Sequence, residues 1–201
     1  MKTLLMIRHG ESEADILHVH EGRADFPLTE LGRKQAEAMG KWVASHYKID
    51  MIFASTLRRA AETAQFLAEA SGVPVIPVED LMEFNNGLLA GLPFDEAARL
   101  YPRIENLPPD QSVYGQESKY EFRARADRAL AGCLDKIPDG ATAAIVSHGG
   151  MINQLFASLL ELPPAYPVRF GTGDTGVHCW RLTEEGAILL FANRQEHLHN
   201  L

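Results

Sequence analysis

This chain lacks an apolar stretch long enough to cross a bilayer: hydrophobic residues fill 46% of its 201 positions, yet they come in short, interrupted runs. That argues against membrane spans. It also lacks a Pro/Gly/Ser-rich linker or low-complexity tract, so residues 1–201 are expected to form a single domain around one sizeable core. Cysteine is scarce. Cys133 and Cys179 stand apart, without a disulfide framework or metal-ligand spacing. Positive charge is short as well, and a formal net charge of -8 argues against a nucleic-acid backbone as partner, since proteins that bind one present a basic face. A small anion needs only local positive charge and stays open. Met1-Lys2-Thr3 leads straight into an apolar run, leaving no room for the parts of a secretory signal, so a cytoplasmic location is expected.

What is present begins with Leu4-Leu5-Met6-Ile7, which stops at Arg8-His9-Gly10-Glu11. Such a run suggests a strand buried on both faces of a parallel sheet, with Gly10 turning the chain out of it. The pattern recurs at Ala143-Ala144-Ile145-Val146-Ser147, followed by His148-Gly149-Gly150. Two buried strands thus deliver a histidine to one sheet edge, the edge at which open α/β sheets bind ligands.

Between and beyond these strands the pattern predicts alternating elements. Thr29 caps an amphipathic helix reaching Tyr47, with Leu31, Gln35, Ala38/Met39 and Trp42/Val43 near one face. A strand over Met51–Ala54, a helix from about Thr56 to Ser71 closed by Gly72, and a strand over Val73–Val78 follow. The segment from Glu79 to Gly115, rich in proline and glycine, reads as a long functional loop. Then come a helix from about Ser118 to Lys136, a strand over Thr142–Ser147, a helix from Met151 to Leu160, and a terminal strand pair near Val177–Leu182 and Ala187–Phe191. The alternation predicts an α/β fold, a three-layer α/β/α sandwich with a mostly parallel central sheet.

Arg8-His9-Gly10-Glu11-Ser12, Ser55-Thr56-Leu57-Arg58-Arg59-Ala60 with Thr63-Ala64, Leu81-Met82-Glu83 followed by Gly87 and Gly91, and Ser147-His148-Gly149-Gly150 stand in this order. So do Pro27-Leu28-Thr29-Glu30-Leu31-Gly32-Arg33-Lys34-Gln35-Ala36, Gly115-Gln116-Glu117-Ser118 and His197-Leu198. The ordered set resembles the histidine phosphatase superfamily, the phosphoglycerate mutase-like family, over nearly the whole chain. The resemblance implies that His9 is a nucleophile forming a phosphohistidine, that Arg8, Arg59 and His148 clamp the phosphoryl group, and that Glu83 is the general acid and base. Asp15, Glu21, Gly22, Gly149 and Thr175 would complete the substrate site, with His178 a further candidate wall. Arginine suits the clamp because its planar fork donates paired hydrogen bonds and stays charged, doing what a metal does in other phosphatases. No metal or cofactor is therefore expected. Spacing from Ser55 selects Arg59 and leaves Arg58 as a surface charge. His18, His20, His46 and His199 read as surface or packing residues, since no third ligand accompanies His18-x-His20.

Three departures bear on specificity. The family commonly has asparagine where Asp15 stands and glutamine where Glu21 stands, so amides that donate to phosphate are replaced by carboxylates that, when ionised, cannot. Either these side chains turn away, or the substrate brings donors of its own. Gly171-Thr172-Gly173-Asp174-Thr175-Gly176-Val177-His178 replaces the usual asparagine and small residues; such a glycine-rich loop can offer backbone N–H groups to an anion or form a hairpin turn, and the turn is the favoured reading. Because a mutase needs extra cations and exclusion of water, the acidic replacements favour a cofactor-independent phosphatase. A phosphoglycerate mutase and a noncatalytic phosphate-binding protein are the alternatives. Specificity is expected from Phe84 to Gln116, with Arg99, Tyr101, Arg103 and Tyr114 as candidate contacts; sugar phosphates, nucleotides, α-ribazole phosphate and phosphorylated proteins all remain open. The family suggests a homodimer, and Trp180 is either core or interface.

Overall fold

The computed structural model describes residues 1–164, 166–199 and 201. Its centre is one six-stranded sheet built from β1 (Lys2–Arg8), β2 (Met51–Ala54), β3 (Val75–Pro77), β4 (Thr142–Ser147), β5 (Val177–Thr183) and β6 (Gly186–Arg194). They lie in the order β3-β2-β4-β1-β5-β6. β5 is antiparallel to both its neighbours while the other pairings are parallel, so the sheet is mostly parallel as predicted.

Side chains alternate across the sheet and thereby divide the core. Leu4, Met6, Phe53, Ala143, Ile145 and Trp180 face one side, where α5 (Lys119–Leu134) and α6 (Gly149–Leu159) cover them. Leu5, Ile7, Ile52, Ala54, Ala144 and Val146 face the other, under α2 (Glu30–His46) and α3 (Arg58–Ser71). The result is the three-layer sandwich. Each fully buried leucine, isoleucine, valine, methionine or phenylalanine among them contributes about 1.5–3 kcal/mol. Trp180 belongs to this core. Among the described residues, no helix is long and apolar enough to cross a membrane.

The structure corrects several element boundaries. α2 starts at its predicted cap, where Thr29 Oγ1 accepts from Gly32 N at 2.9 Å, but Leu31 is exposed. The buried stripe is Gly32, Gln35, Ala36, Met39, Gly40 and Val43, since its glycines let the helix lie close to neighbouring backbone. α6 begins two residues early because His148 caps it and Gly149 and Gly150 enter its first turn. Two short helices, α1 (Glu13–Leu17) and α4 (Phe94–Leu100), were too brief to show a hydrophobic period. α4 and two single 3₁₀ turns structure the segment read as loop from Glu79 to Gly115.

Candidate active site

The strand register assembles the site. Arg8 on β1 pairs with Ser147 on β4, so the next residues, His9 and His148, leave the sheet side by side with ring centroids 5.1 Å apart. β2 pairs Ala54 with Val146, which brings Ser55 to the same edge. Ser55 Oγ meets His148 Nε2 at 2.8 Å, while His148 Nδ1 is buried without a partner.

His9 is almost fully buried, and its Nδ1 lies 2.7 Å from the Gly10 carbonyl. A carbonyl only accepts, so Nδ1 carries the proton and Nε2 keeps its lone pair. Arg59 Nε donates to that Nε2 at 3.3 Å. Burial first, then the charges of Arg59 and Arg8, hold the His9 pKa well below the usual imidazole range. His148 is lowered in the same way, by burial and then by Arg59, His9, Arg8 and Arg125. Both rings are neutral at physiological pH.

Arg59 sits in the first turn of α3 with no exposed surface, whereas its neighbour Arg58 is exposed. Its Nη1 donates to Ala24 O at 3.0 Å and its Nη2 to Gly22 O at 2.8 Å. Gly22 has φ +48°, and a Cβ there would collide with the Asn86 side chain, so the turn that holds Arg59 requires glycine. Arg8 Nη1 donates to Thr172 O at 3.0 Å and lies 3.3 Å from Asp174 Oδ1, while its Nε is buried and unpartnered. Gly149 lies beside Arg8: a Cβ on it would come within 3.9 Å of Arg8 Nε.

Glu83 follows a 3₁₀ turn and caps α6, its Oε2 accepting from Gly150 N at 2.8 Å and its Oε1 from Phe84 N at 2.7 Å. A Cβ on Gly150 would strike this carboxylate. The loop carrying Glu83 is held by Arg125 of α5, which donates to Asp80 O at 2.8 Å, Met82 O at 2.6 Å and Glu83 O at 3.0 Å. Arg125 also pairs with Glu117 at 2.6 Å, and Glu117 accepts from Asn85 N at 2.7 Å. Sequence reasoning missed Arg125. Its signal was an arginine within the buried stripe Phe122, Ala126, Ala129 and Leu130.

The two acidic replacements part company. Asp15 turns away: its Oδ2 accepts from Ser12 N at 2.9 Å and caps α1, rather than facing phosphate. Glu21 stays, with Oε1 3.1 Å from Arg59 Nε and Oε2 3.6 Å from His9 Nε2, and its Oε1 meets the Ser12 hydroxyl. Burial pushes the Glu21 pKa up from its ordinary value against the pull of Arg59.

Thr175 is buried behind His9, donating N–H to His9 O at 3.1 Å, while its hydroxyl is committed to Asp174 O and His197. It supports the backbone of His9, and its hydroxyl is already engaged rather than free for a ligand. His178, read as a possible pocket wall, is instead buried between Thr172 and Asn193 N. Tyr101, Arg103 and Tyr114 line a cavity of about 640 Å³ together with His20 and Phe84, the chain neighbours of Glu21 and Glu83. Arg99 does not line it.

A family model described as the histidine phosphatase superfamily (branch 1) matches residues 4–195. The chain belongs to the histidine phosphatase superfamily. A Yersinia enterocolitica member, named "Probable phosphoglycerate mutase GpmB", is 32% identical over 178 residues, 82% of this chain and 77% of its own. Among solved superfamily structures, a mycobacterial glucosyl-3-phosphoglycerate phosphatase complexed with VO3 is 27% identical with a TM-score of 0.83, over 96% of this chain and 99% of its own. A phosphoserine phosphatase from Entamoeba histolytica, complexed with 3-phosphoglyceric acid, is 28% identical with a TM-score of 0.79, over 98% of this chain and 100% of its own.

Proposed function

We propose that this superfamily member hydrolyses a phosphate monoester through a phosphohistidine on His9. The observation that carries this reading is the state of His9: a buried neutral imidazole, its Nδ1 proton held by Gly10 O and its Nε2 lone pair turned toward Arg59. Nε2 attacks phosphorus, and the Arg59 N–H that it now accepts passes to a phosphate oxygen. Arg8 Nε and His148 Nδ1 are buried without partners, and with the Ser55 hydroxyl, which accepts from Leu57 N, donating to His148 Nε2, the ring proton sits on Nδ1, so both supply further hydrogen bonds to the equatorial oxygens. Glu83, as the general acid, gives a proton to the departing alkoxide. It then takes one from the water that attacks phosphorus and releases His9.

Hydrolysis is favoured over phosphoryl return because the Asp174 carboxylate already lies 3.3 Å from Arg8, lowering the positive charge that a bisphosphorylated intermediate would need. The cavity lined by Tyr101, Tyr114 and Arg103 has none of Arg8, His9, Arg59, Glu83 or His148 in its walls, but His20 and Phe84 join it to the loops that carry Glu21 and Glu83, and a leaving alcohol with an apolar or aromatic body long enough to pass them suits it. A mutase is the second reading, favoured by the name of the Yersinia relative.

The test incubates the protein with phosphate monoesters, including 3-phosphoglycerate with and without its bisphosphate, and measures both free phosphate and isomer. Free phosphate in excess is expected. Isomer formation exceeding phosphate release would overturn the phosphatase reading, and a His9→Ala variant with undiminished turnover would remove the phosphohistidine.

A further inference from the structure

Glu21 occupies ground that a phosphoryl group must share. Its carboxylate oxygens lie 3.1 Å from Arg59 Nε and 3.6 Å from His9 Nε2, the cation and the nucleophile of the reading above, on which this inference rests. An ionised carboxylate only accepts hydrogen bonds, so it would set like charge against a phosphate dianion. Only a protonated carboxyl can serve as a ligand there.

The hydrogen-bond arrangement around Ser12 provides for that proton. Ser12 Oγ contacts Glu21 Oε1 and also lies 3.2 Å from Asp15 Oδ2, yet a hydroxyl has one proton to donate. Both contacts become hydrogen bonds when the cluster holds one more proton: the Glu21 carboxyl donates to Ser12 Oγ, and Ser12 donates to Asp15. Water solvates Asp15, which is exposed, whereas the Glu21 side chain is only 19% exposed and Ser12 is fully buried. Burial of charge is costly, so the proton belongs on Glu21.

We propose that Glu21 is a proton-carrying ligand of the phosphoryl group: in the substrate complex its carboxyl proton turns from Ser12 Oγ to a phosphate oxygen while the Ser12 hydroxyl donates to Glu21 Oε1 instead, so that substrate binds together with one proton. The groups facing Glu21 are Arg59 from α3, His9 and Arg8 from the end of β1, and Asp15 from α1; Asp174, before β5, faces Arg8. Arg59, a Ser12 hydroxyl that donates to Glu21, and Arg8 favour the ionised form, while burial, the largest influence, and Asp15 oppose it and leave the pKa above its ordinary value in the free protein. A bound dianion adds to the opposition.

Sulfate tests this directly, because it is a tetrahedral dianion that carries no titrating proton near neutrality. Calorimetric titration of the whole protein with sulfate, in buffers of different ionisation enthalpy, counts protons taken up on binding. The wild type is expected to take up close to one proton at pH values where free Glu21 is ionised, with affinity falling about tenfold per pH unit there. Glu21→Gln, whose amide donates without a proton, is expected to take up none and to bind with little pH dependence. Asp174→Asn should keep the wild-type uptake. Uptake that persists in Glu21→Gln would assign the proton to a histidine and overturn the proposal, as would loss of uptake in Asp174→Asn. Sulfate binding to the wild type without uptake at any pH removes the Glu21 proposal alone. Failure of sulfate to bind at all removes the phosphate-site reading with it.

Discussion

Replacing Arg125 by alanine tests how Glu83, the proposed general acid, is held. Arg125 is 6% exposed and donates to three backbone carbonyls, those of Asp80, Met82 and Glu83, while its remaining bonds go to Glu117, whose side chain is 10% exposed. Alanine leaves the Glu117 carboxylate buried without its cation and frees the carbonyls on the Glu83 loop. Breaking a buried pair from one side costs about 3–5 kcal/mol. For a domain of this size that corresponds to a Tm lowered by roughly 6–20 °C. Urea denaturation measures the loss, and Arg125→Met combined with Glu117→Leu should recover part of it, because no unpaired charge remains. Activity provides a readout that stability alone does not move. Below the melting range, kcat for an alkyl phosphate, whose alkoxide needs the Glu83 proton, should fall more than kcat for p-nitrophenyl phosphate, whose leaving group does not. An unchanged denaturation midpoint together with an unchanged ratio of the two kcat values would refute the reasoning.

Three further outcomes are expected. Gly150→Ala drives a methyl into the Glu83 carboxylate, so kcat for alkyl phosphates should drop about 100-fold with little change in KM; an equal loss on p-nitrophenyl phosphate would contradict this. Gly22→Ala forces φ +48° on a residue with a side chain and collides with Asn86, costing about 1–3 kcal/mol in urea denaturation and raising KM through the displaced Arg59. Burial lowers His178 from 6.5 to about 4 in the folded state, so its contribution is intact above the unfolded value and is lost as pH falls toward the folded one. Relative to neutral pH the loss at about pH 5 should be about 2 kcal/mol, seen as a shallower pH slope of unfolding free energy in His178→Asn, and an identical slope would count against it.

Much of the fold was legible because its central strands β1, β2 and β4 are buried on both faces. Runs such as Met51–Ala54 and Thr142–Ser147 stand out as continuous apolar blocks, and both have the predicted bounds. Helices with long periods were legible too, although the face of α2 was not: Leu31 looked like core and Gly32 is. A stripe of glycine carries no hydrophobic signal, yet it lets α2 approach backbone more closely than leucine would permit. α4 was hidden for another reason, since seven residues cannot display a period.

The amino-acid sequence by itself determined which residues stand at strand ends and helix starts. Arg8 and His9 after β1 and His148 after β4 follow from local patterns, because an apolar run and a glycine punctuate the chain without help from distant residues, and Arg59 falls near the start of a helix predicted from Thr56. Only the tertiary structure decided how the charges among them are distributed. Composition makes Asp15 and Glu21 equivalent carboxylates, but folding turns Asp15 onto the backbone of its own helix and lays Glu21 against His9 and Arg59. It likewise buries Arg125 under the Glu83 loop, 42 residues away along the chain. Electrostatic interactions depend on distance and burial, and neither quantity exists until segments remote in sequence are packed together.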